Sequence, residues 1–285
     1  MKKAIMTYAL KDNVLTCISD VKSGLKCGCI CPQCHSVLIA HKGKKNIHHF
    51  NHYNSKECEK GYQTSLHLLA KEIISNEKRI VIPPVSYSFN YNNKFIDISE
   101  TEVQIDKVEL ETKTGDIIPD IVLYHGKQIL LIEIYVTHTI NEEKLNKIKS
   151  LGLSTIEIDL SQTDREISYE DLKNILINSY SEKQWIFNKF VTSNVEKLYN
   201  VSKIYPVICR RTSYNRVVYH IDNCPKKARN YYGSPYANVE LDCYECEYFI
   251  EDDMYNPLYE PESIRCVGQT KIKTSNDLTK YLSKK

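Results

Sequence analysis

The chain has 285 residues, with 38 Lys+Arg against 36 Asp+Glu, 42% hydrophobic residues, 9 Gly, 9 Pro and 11 Cys. That length gives room for about two domains and a substantial core, and the low Gly and Pro content excludes collagenous and low-complexity classes. A mean hydropathy of −0.42, with no apolar run of about 18 residues, predicts no membrane-spanning helix, and the net charge of +2 neither requires nor excludes a nucleic-acid partner.

Met1-Lys2-Lys3 precedes only a short apolar run, Ala4 to Leu10, without the cleavage site of a signal peptide. The expectation is a cytoplasmic protein, in which cysteines are thiols or metal ligands rather than disulfides. Their placement is uneven: six lie between Cys17 and Cys58, five between Cys209 and Cys266, and none from Glu59 to Ile208. This pattern predicts two zinc modules flanking a metal-free fold. The division expected is a zinc module at 1–60, a core at 61–165, a helical linker at 166–203 and a zinc-ribbon-like module at 204–285.

The first module carries Cys27, Cys29 and then Cys31-Pro32-Gln33-Cys34, followed by His48-His49-Phe50-Asn51-His52 and Cys58. Two thiolates on the tight Cys31–Cys34 turn can share one tetrahedral ion. Cys31, Cys34, His52 and Cys58 form the favoured set. His49 competes, because one helical turn would aim His49 and His52 at the same ion. Cys27 and Cys29 read as core thiols.

A helix is predicted over 62–76, with Leu66, Leu69, Ala70, Ile73 and Ile74 at helical spacing. Its polar stripe, Gln63, His67 and Lys71, stacks on one face. Strands follow at Arg79–Phe89, broken by Pro83-Pro84, then at Lys94–Ile98 and Glu102–Glu111. The most apolar pair, Ile117–Tyr124 and Gln128–Thr137, forms a hairpin about His125-Gly126-Lys127. Asn141–Leu151 is an amphipathic helix ended by Gly152, and Ser154–Leu160 is another strand. From about Tyr169 to Asn200 the apolar spacing, including Trp185, Ile186 and Phe190, reads as helical. The fold class is α/β (α+β), a mixed sheet with one crossover.

The second module offers Cys224, Cys243-Tyr244-Glu245-Cys246 and Cys266, a four-thiolate set in which Cys209 and His220 are alternative fourth ligands. Both zinc sites read as structural, since a filled four-ligand shell leaves no open position.

The apolar hairpin holds two carboxylates, Asp120 and Glu133, nearly opposite one another. Cross-strand partners sit about 5 Å apart. Two buried anions that close repel, and a divalent cation is the simplest remedy. Oxygen donors suit Mg²⁺ or Mn²⁺. Glu109 and Glu111 are possible outer ligands or simply a solvated strand edge.

Pro119-Asp120 followed by Glu133-x-Tyr135 resembles the PD-(D/E)XK nuclease core. Cys-Pro-x-Cys, His49-Phe50-x-His52, the Thr64-Ser65-Leu66-His67…Lys71 helix and Ile-Pro-Asp…Ile-Glu-Ile together resemble the competence CoiA-like family over about residues 20–160. The resemblance implies a zinc-bearing, Mg²⁺- or Mn²⁺-dependent nuclease-like protein acting on DNA, in DNA processing, competence or antiviral defence. It implies that Asp120 and Glu133 bind metal with the Ile134 carbonyl as third oxygen. His67 and Lys71 would orient phosphate or water, Gln63 would hold a metal-bound water, and Thr137-His138 would approach substrate. Tyr135 stands where the nuclease core has Lys, so Lys71 or Lys144 would supply the missing cation; Gln63 stands where the family often has Glu. A catalytically inactive nucleic-acid-binding or scaffolding subunit, in which a partner does the chemistry, is the alternative. Lys42, Lys44, Lys45, Arg210, Arg211, Lys226, Lys227 and Arg229, beside Tyr231 and Tyr232, are candidate phosphate contacts.

Overall fold

The computed structural model describes residues 6–44, 47–54, 58, 60–91, 93–137, 141–164, 167–212, 214–253 and 261–284. The fold is mixed α+β, with several small sheets and a few helices. It divides into two compact units, 1–83 with 100–188, and 84–99 with 189–285.

In the first unit, β1 (Tyr8–Lys11) and β2 (Val14–Cys17) form a hairpin, and β3 (Leu38–His41) pairs with β4 (His49–His52). Buried Met6, Ala9, Cys27, Cys29, Leu38 and Phe50 pack between these ribbons. Cys27 and Cys29 behave as small core residues: their thiols bond the Leu38 and Cys27 carbonyls. Helix α1 (Gly61–Asn76) follows, then β5 (Arg79–Ile82). At Pro83-Pro84 the chain leaves this unit for the ribbon of β6 (Val85–Tyr87) and β7 (Ile96–Ile98), and it returns at Glu100. Neither proline has an N–H to donate to a ladder, which suits them to a crossing point. The expected Glu102–Glu111 strand is two, β8 (Thr101–Gln104) and β9 (Lys107–Leu110).

The central sheet contains β9, β10 (Ile121–His125), β11 (Gln128–Tyr135), β12 (Ser154–Asp159) and β13 (Lys183–Phe187), in the order β13-β12-β11-β10-β9. The hairpin pairs Ile121 with Ile132 and His125 with Gln128. β12 runs parallel to β11, reached through helix α2 (Glu142–Leu151). Sequence and structure agree closely on α2. The Asn141 side chain caps its N-terminus, and Gly152 at φ 65° ends it in the left-handed conformation.

One face of the sheet (Ile121, Leu123, Ile132, Ile134, Ile156, Ile158) packs on Leu66, Leu69, Ile73 and Ile74 of α1 and on Leu172 and Leu176. The other face (Val122, Leu131) packs on Ile148 of α2. Leu172 lies in α3 (Tyr169–Lys173), which passes into a π-turn at Asn174–Asn178.

The 166–203 stretch is not an all-helical linker. Lys183–Phe187 is the edge strand β13, antiparallel to β12, with Trp185 opposite Ile156. The apolar spacing through Trp185 and Ile186 is too short to separate helix from strand, and pairing decides it.

The second unit has α4 (Lys189–Val201), a sheet of β14 (Lys203–Pro206), β20 (Ser263–Cys266) and β19 (Phe249–Asp252), and helix α5 (Ser275–Leu282). The ribbon β6–β7 joins this core, where Phe95 and Ile96 pack with Leu198, Tyr248 and Leu278. A four-stranded sheet, β15 (Ile208–Arg211), β16 (Val217–Asp222), β18 (Ser234–Asn238) and β17 (Arg229–Tyr231), completes it. Among the described residues, no helix is long and apolar enough to cross a membrane.

Candidate functional site: a thiol cluster and a carboxylate hairpin

Two constellations in the first unit carry chemistry. In the first, Sγ of Cys31, Cys34 and Cys58 all lie within 4.8 Å of one another. His52 Nε2 sits 3.2 Å from Cys34 Sγ. Residues 32–34 make a tight turn, closed by the His35 N–H on the Cys31 carbonyl at 3.0 Å. The opening of α1 seals the cluster. A Cβ at Gly61 would lie 3.1 Å from Cys31 Sγ, so glycine lets the helix start against the sulfur. The Thr64 hydroxyl donates to Gln33 Oε1 at 2.6 Å. The Ser36 hydroxyl bond, outweighing partial desolvation, brings the Cys34 thiol down to about 6.

The three thiols could hold a metal such as zinc, and the soft donors suit it. His49 is not part of the set. It lies in strand β4, not a helix, so its side chain and that of His52 alternate to opposite faces. His49 stacks on His41 at 5.1 Å and bonds the Ile47 carbonyl instead.

The second constellation lies at the end of the hairpin. β10 begins only at Ile121, and the Asp120 side chain acts as acceptor for the Ile134 N–H, 2.8 Å from Oδ2. From α1, His67 Nε2 is 3.0 Å from Asp120 Oδ2, and Lys71 Nζ is 3.0 Å from Oδ1. Lys71 also pairs with Glu111 at 2.7 Å. Glu111 reaches it through a left-handed backbone at φ 48° just past β9. Glu133 is addressed from the other side of the sheet: Lys144 Nζ of α2 is 2.6 Å from its Oε2. Glu133 Oε1 is buried and has no hydrogen-bond partner.

These neighbours set the two carboxyls apart. Burial raises both, but at Asp120 the His67 bond and charge, the Ile134 N–H and Lys71 outweigh it, holding the group well below the usual range. At Glu133 burial wins over Lys144, helped by the negative charge of Asp120, and the carboxyl is pushed up to about 7.

The sequence reading made a divalent cation the remedy for two uncompensated acids. The structure gives another: Lys71 and His67 answer Asp120, and Lys144 answers Glu133. Among the described residues, only the Cys31–Cys34–Cys58 group places three donor atoms of the metal-ligating types within 4.8 Å of one another. Glu133 Oε1 is the oxygen of the pair still available to a hard cation; Asp120 would have to exchange a contact with Lys71 or His67.

The remaining candidates divide. Gln63 accepts from the Thr137 hydroxyl at 3.0 Å, so it joins the site through a side chain rather than a water. The Tyr135 carbonyl accepts the Leu160 N–H at 2.7 Å. Glu109 is taken by Tyr124 and Lys107. Of the expected phosphate contacts, Lys42 is tied to the Ser19 and Val21 carbonyls, Lys226 to Glu247 and Arg229 to Asp242. Arg210, Arg211, Tyr231 and Tyr232 are exposed. His138 and Lys45 lie outside the described residues. The sequence did not assign Glu111 to Lys71, and no local signal marks a pair 40 residues apart.

No family model, curated protein or solved structure matches the chain.

Proposed function

We propose that this chain is a PD-(D/E)XK-type, CoiA-like nuclease that hydrolyses phosphodiester bonds in DNA with Mg²⁺ or Mn²⁺ at Asp120 and Glu133. One observation carries the reading: an apolar hairpin ends in two acids of opposite tuning, one with a buried oxygen left without a partner. A burial cost of that kind is typical of a site kept for ligand. Glu133 Oε1 and Asp120 are the donors for the cation, with the Ile134 carbonyl as third oxygen. A cation held there would polarise a bound water and offset phosphate charge. The chain's own residues supply the rest. His67 and Lys71 keep Asp120 ionised, and Lys71 would be the cation nearest to Asp120 for a phosphate to meet. Lys144 takes the part of the lysine that Tyr135 replaces. Zinc at Cys31, Cys34, His52 and Cys58 is structural, with four donors and no open position.

A second reading, a catalytically inactive nucleic-acid-binding subunit, is favoured by the lysine counter-charge that each carboxylate already has. Supercoiled plasmid and single-stranded DNA, incubated with the protein and Mg²⁺ or Mn²⁺, separate the two. Nicking by the wild type and none by Asp120→Ala supports the nuclease. Equal nicking by both refutes the assigned site, and DNA retention without nicking selects the second reading.

A further inference from the structure

Four thiols of the C-terminal unit, far along the chain from the first cluster, line a common cavity, with no three of their sulfurs within 4.8 Å of one another. Cys224, Cys243, Cys246 and Cys266 line one cavity of about 30 Å³, walled by apolar groups such as Ile221 and Ile264. All four are free thiols. The space is large enough for a water, yet an apolar wall offers a water few partners.

Tight turns follow two of the cysteines. The Cys246 N–H closes a turn on the Cys243 carbonyl at 2.9 Å, and the Lys227 N–H closes another on the Cys224 carbonyl at 2.9 Å. The Gly268 N–H points at Cys266 Sγ at 3.3 Å, a donor that serves a thiolate far better than a thiol. A Cβ at Gly268 would fall 2.9 Å from Pro225 Cγ and 3.4 Å from Cys266 Sγ. The turn after Cys224 and the turn after Cys266 therefore press together only because residue 268 has no side chain.

The alternative fourth ligands drop out. Cys209 is exposed on β15. His220 precedes Ile221 on β16 and so faces away from the cavity that Ile221 lines.

We propose that Cys224, Cys243, Cys246 and Cys266 bind one Zn²⁺ as a closed tetrathiolate, a second zinc centre independent of the proposed nuclease chemistry. Binding draws the four sulfurs onto one ion and releases their protons to solvent, with no change of oxidation state. Cys224, Cys243 and Cys266 belong to the same buried cluster as Tyr205, Val239 and Ile264, so the ion forms the centre of that cluster and its loss unfolds it.

Metal analysis and native mass spectrometry of the full chain test this without an activity assay. The wild type and Cys209→Ser should carry two zinc ions per chain. Cys243→Ser with Cys246→Ser should carry one, as should Cys31→Ser with Cys34→Ser. Should the C-terminal variant fail to fold, alkylation of the native wild type gives the answer. Cys224, Cys243, Cys246 and Cys266 should resist labelling until a chelator strips the second ion, while Cys209 labels throughout. A single zinc lost entirely with Cys31 and Cys34, or labelling of the four thiols at full zinc content, overturns the proposal; iron in place of zinc overturns the metal.

Discussion

The thiol cluster and the carboxylate hairpin sit at two stations of one helix, and they handle donor atoms in opposite ways. At the start of α1, Cys31, Cys34 and Cys58 face one another with no cationic lysine or arginine paired to them among the described residues, and His52 Nε2 lies 3.2 Å from Cys34 Sγ. Further along the same helix, Lys71 delivers counter-charge to Asp120 beside the His67 contact, and Lys144 delivers it to Glu133 from α2. Clustered donors call for a metal when the fold brings them together without a counter-charge. Where lysines arrive, the need is lowered, and what remains is the single orphaned oxygen of Glu133.

The largest effect expected on this contrast comes from removing zinc. Chelation should cost on the order of 10 kcal/mol at the thiol cluster. In hydrogen exchange, residues 6–58 should lose protection while the β10–β11 hairpin keeps its own; joint collapse would show that the two stations are not separable.

Next comes Lys183, a buried cation with no salt bridge among the described residues. Lys183 donates to the Val81 and Ser179 carbonyls, and burial draws its pKa down to about 7. The unfolded chain holds this proton up to the ordinary lysine value, so stability is lowest below pH 7 and rises from there toward pH 10. The full change is about 5 kcal/mol. Lys183→Met should flatten that rise in urea titrations taken across the window.

Lys71 is the paired counterpart. Its side chain is 4% exposed against 18% for Asp120, so Lys71→Met strands a buried carboxylate and should cost about 3 kcal/mol in chemical denaturation. A loss under 1 kcal/mol would mean that His67 and the Ile134 N–H suffice for Asp120. Lys144, at 32% exposure, is worth less. Lys144→Ala should lower stability by about 1 kcal/mol and move the Glu133 titration, followed by carboxyl NMR, above its present value near 7.

Much of the local structure was legible in the sequence. The Cys31–Cys34 turn, the hairpin around Gly126 and the capped helix α2 are short-range features, each fixed by spacing and by one or two punctuating residues. The stripe Gln63–His67–Lys71 was also readable as a stripe, and it does face the site. Long-range partners were not. Nothing near Glu111 says that it will meet Lys71, and nothing near Trp185 says that β12 will pair with its strand. His49 was misplaced for a related reason: i and i+3 share a face on a helix but not on a strand, and the choice depends on β3 lying alongside. The return of residues 84–99 to the C-terminal unit is likewise a tertiary outcome, marked in sequence only by Pro83-Pro84.

The most direct test of the account is the binding of Mn²⁺ to the zinc-loaded full chain, followed by electron paramagnetic resonance at pH 8, above the Glu133 titration. One tight ion in the wild type, weakened at least tenfold in Glu133→Gln and untouched in Lys183→Met, is the predicted result. Equal binding by wild type and Glu133→Gln, or no binding by either, would contradict a hard-metal site at the hairpin.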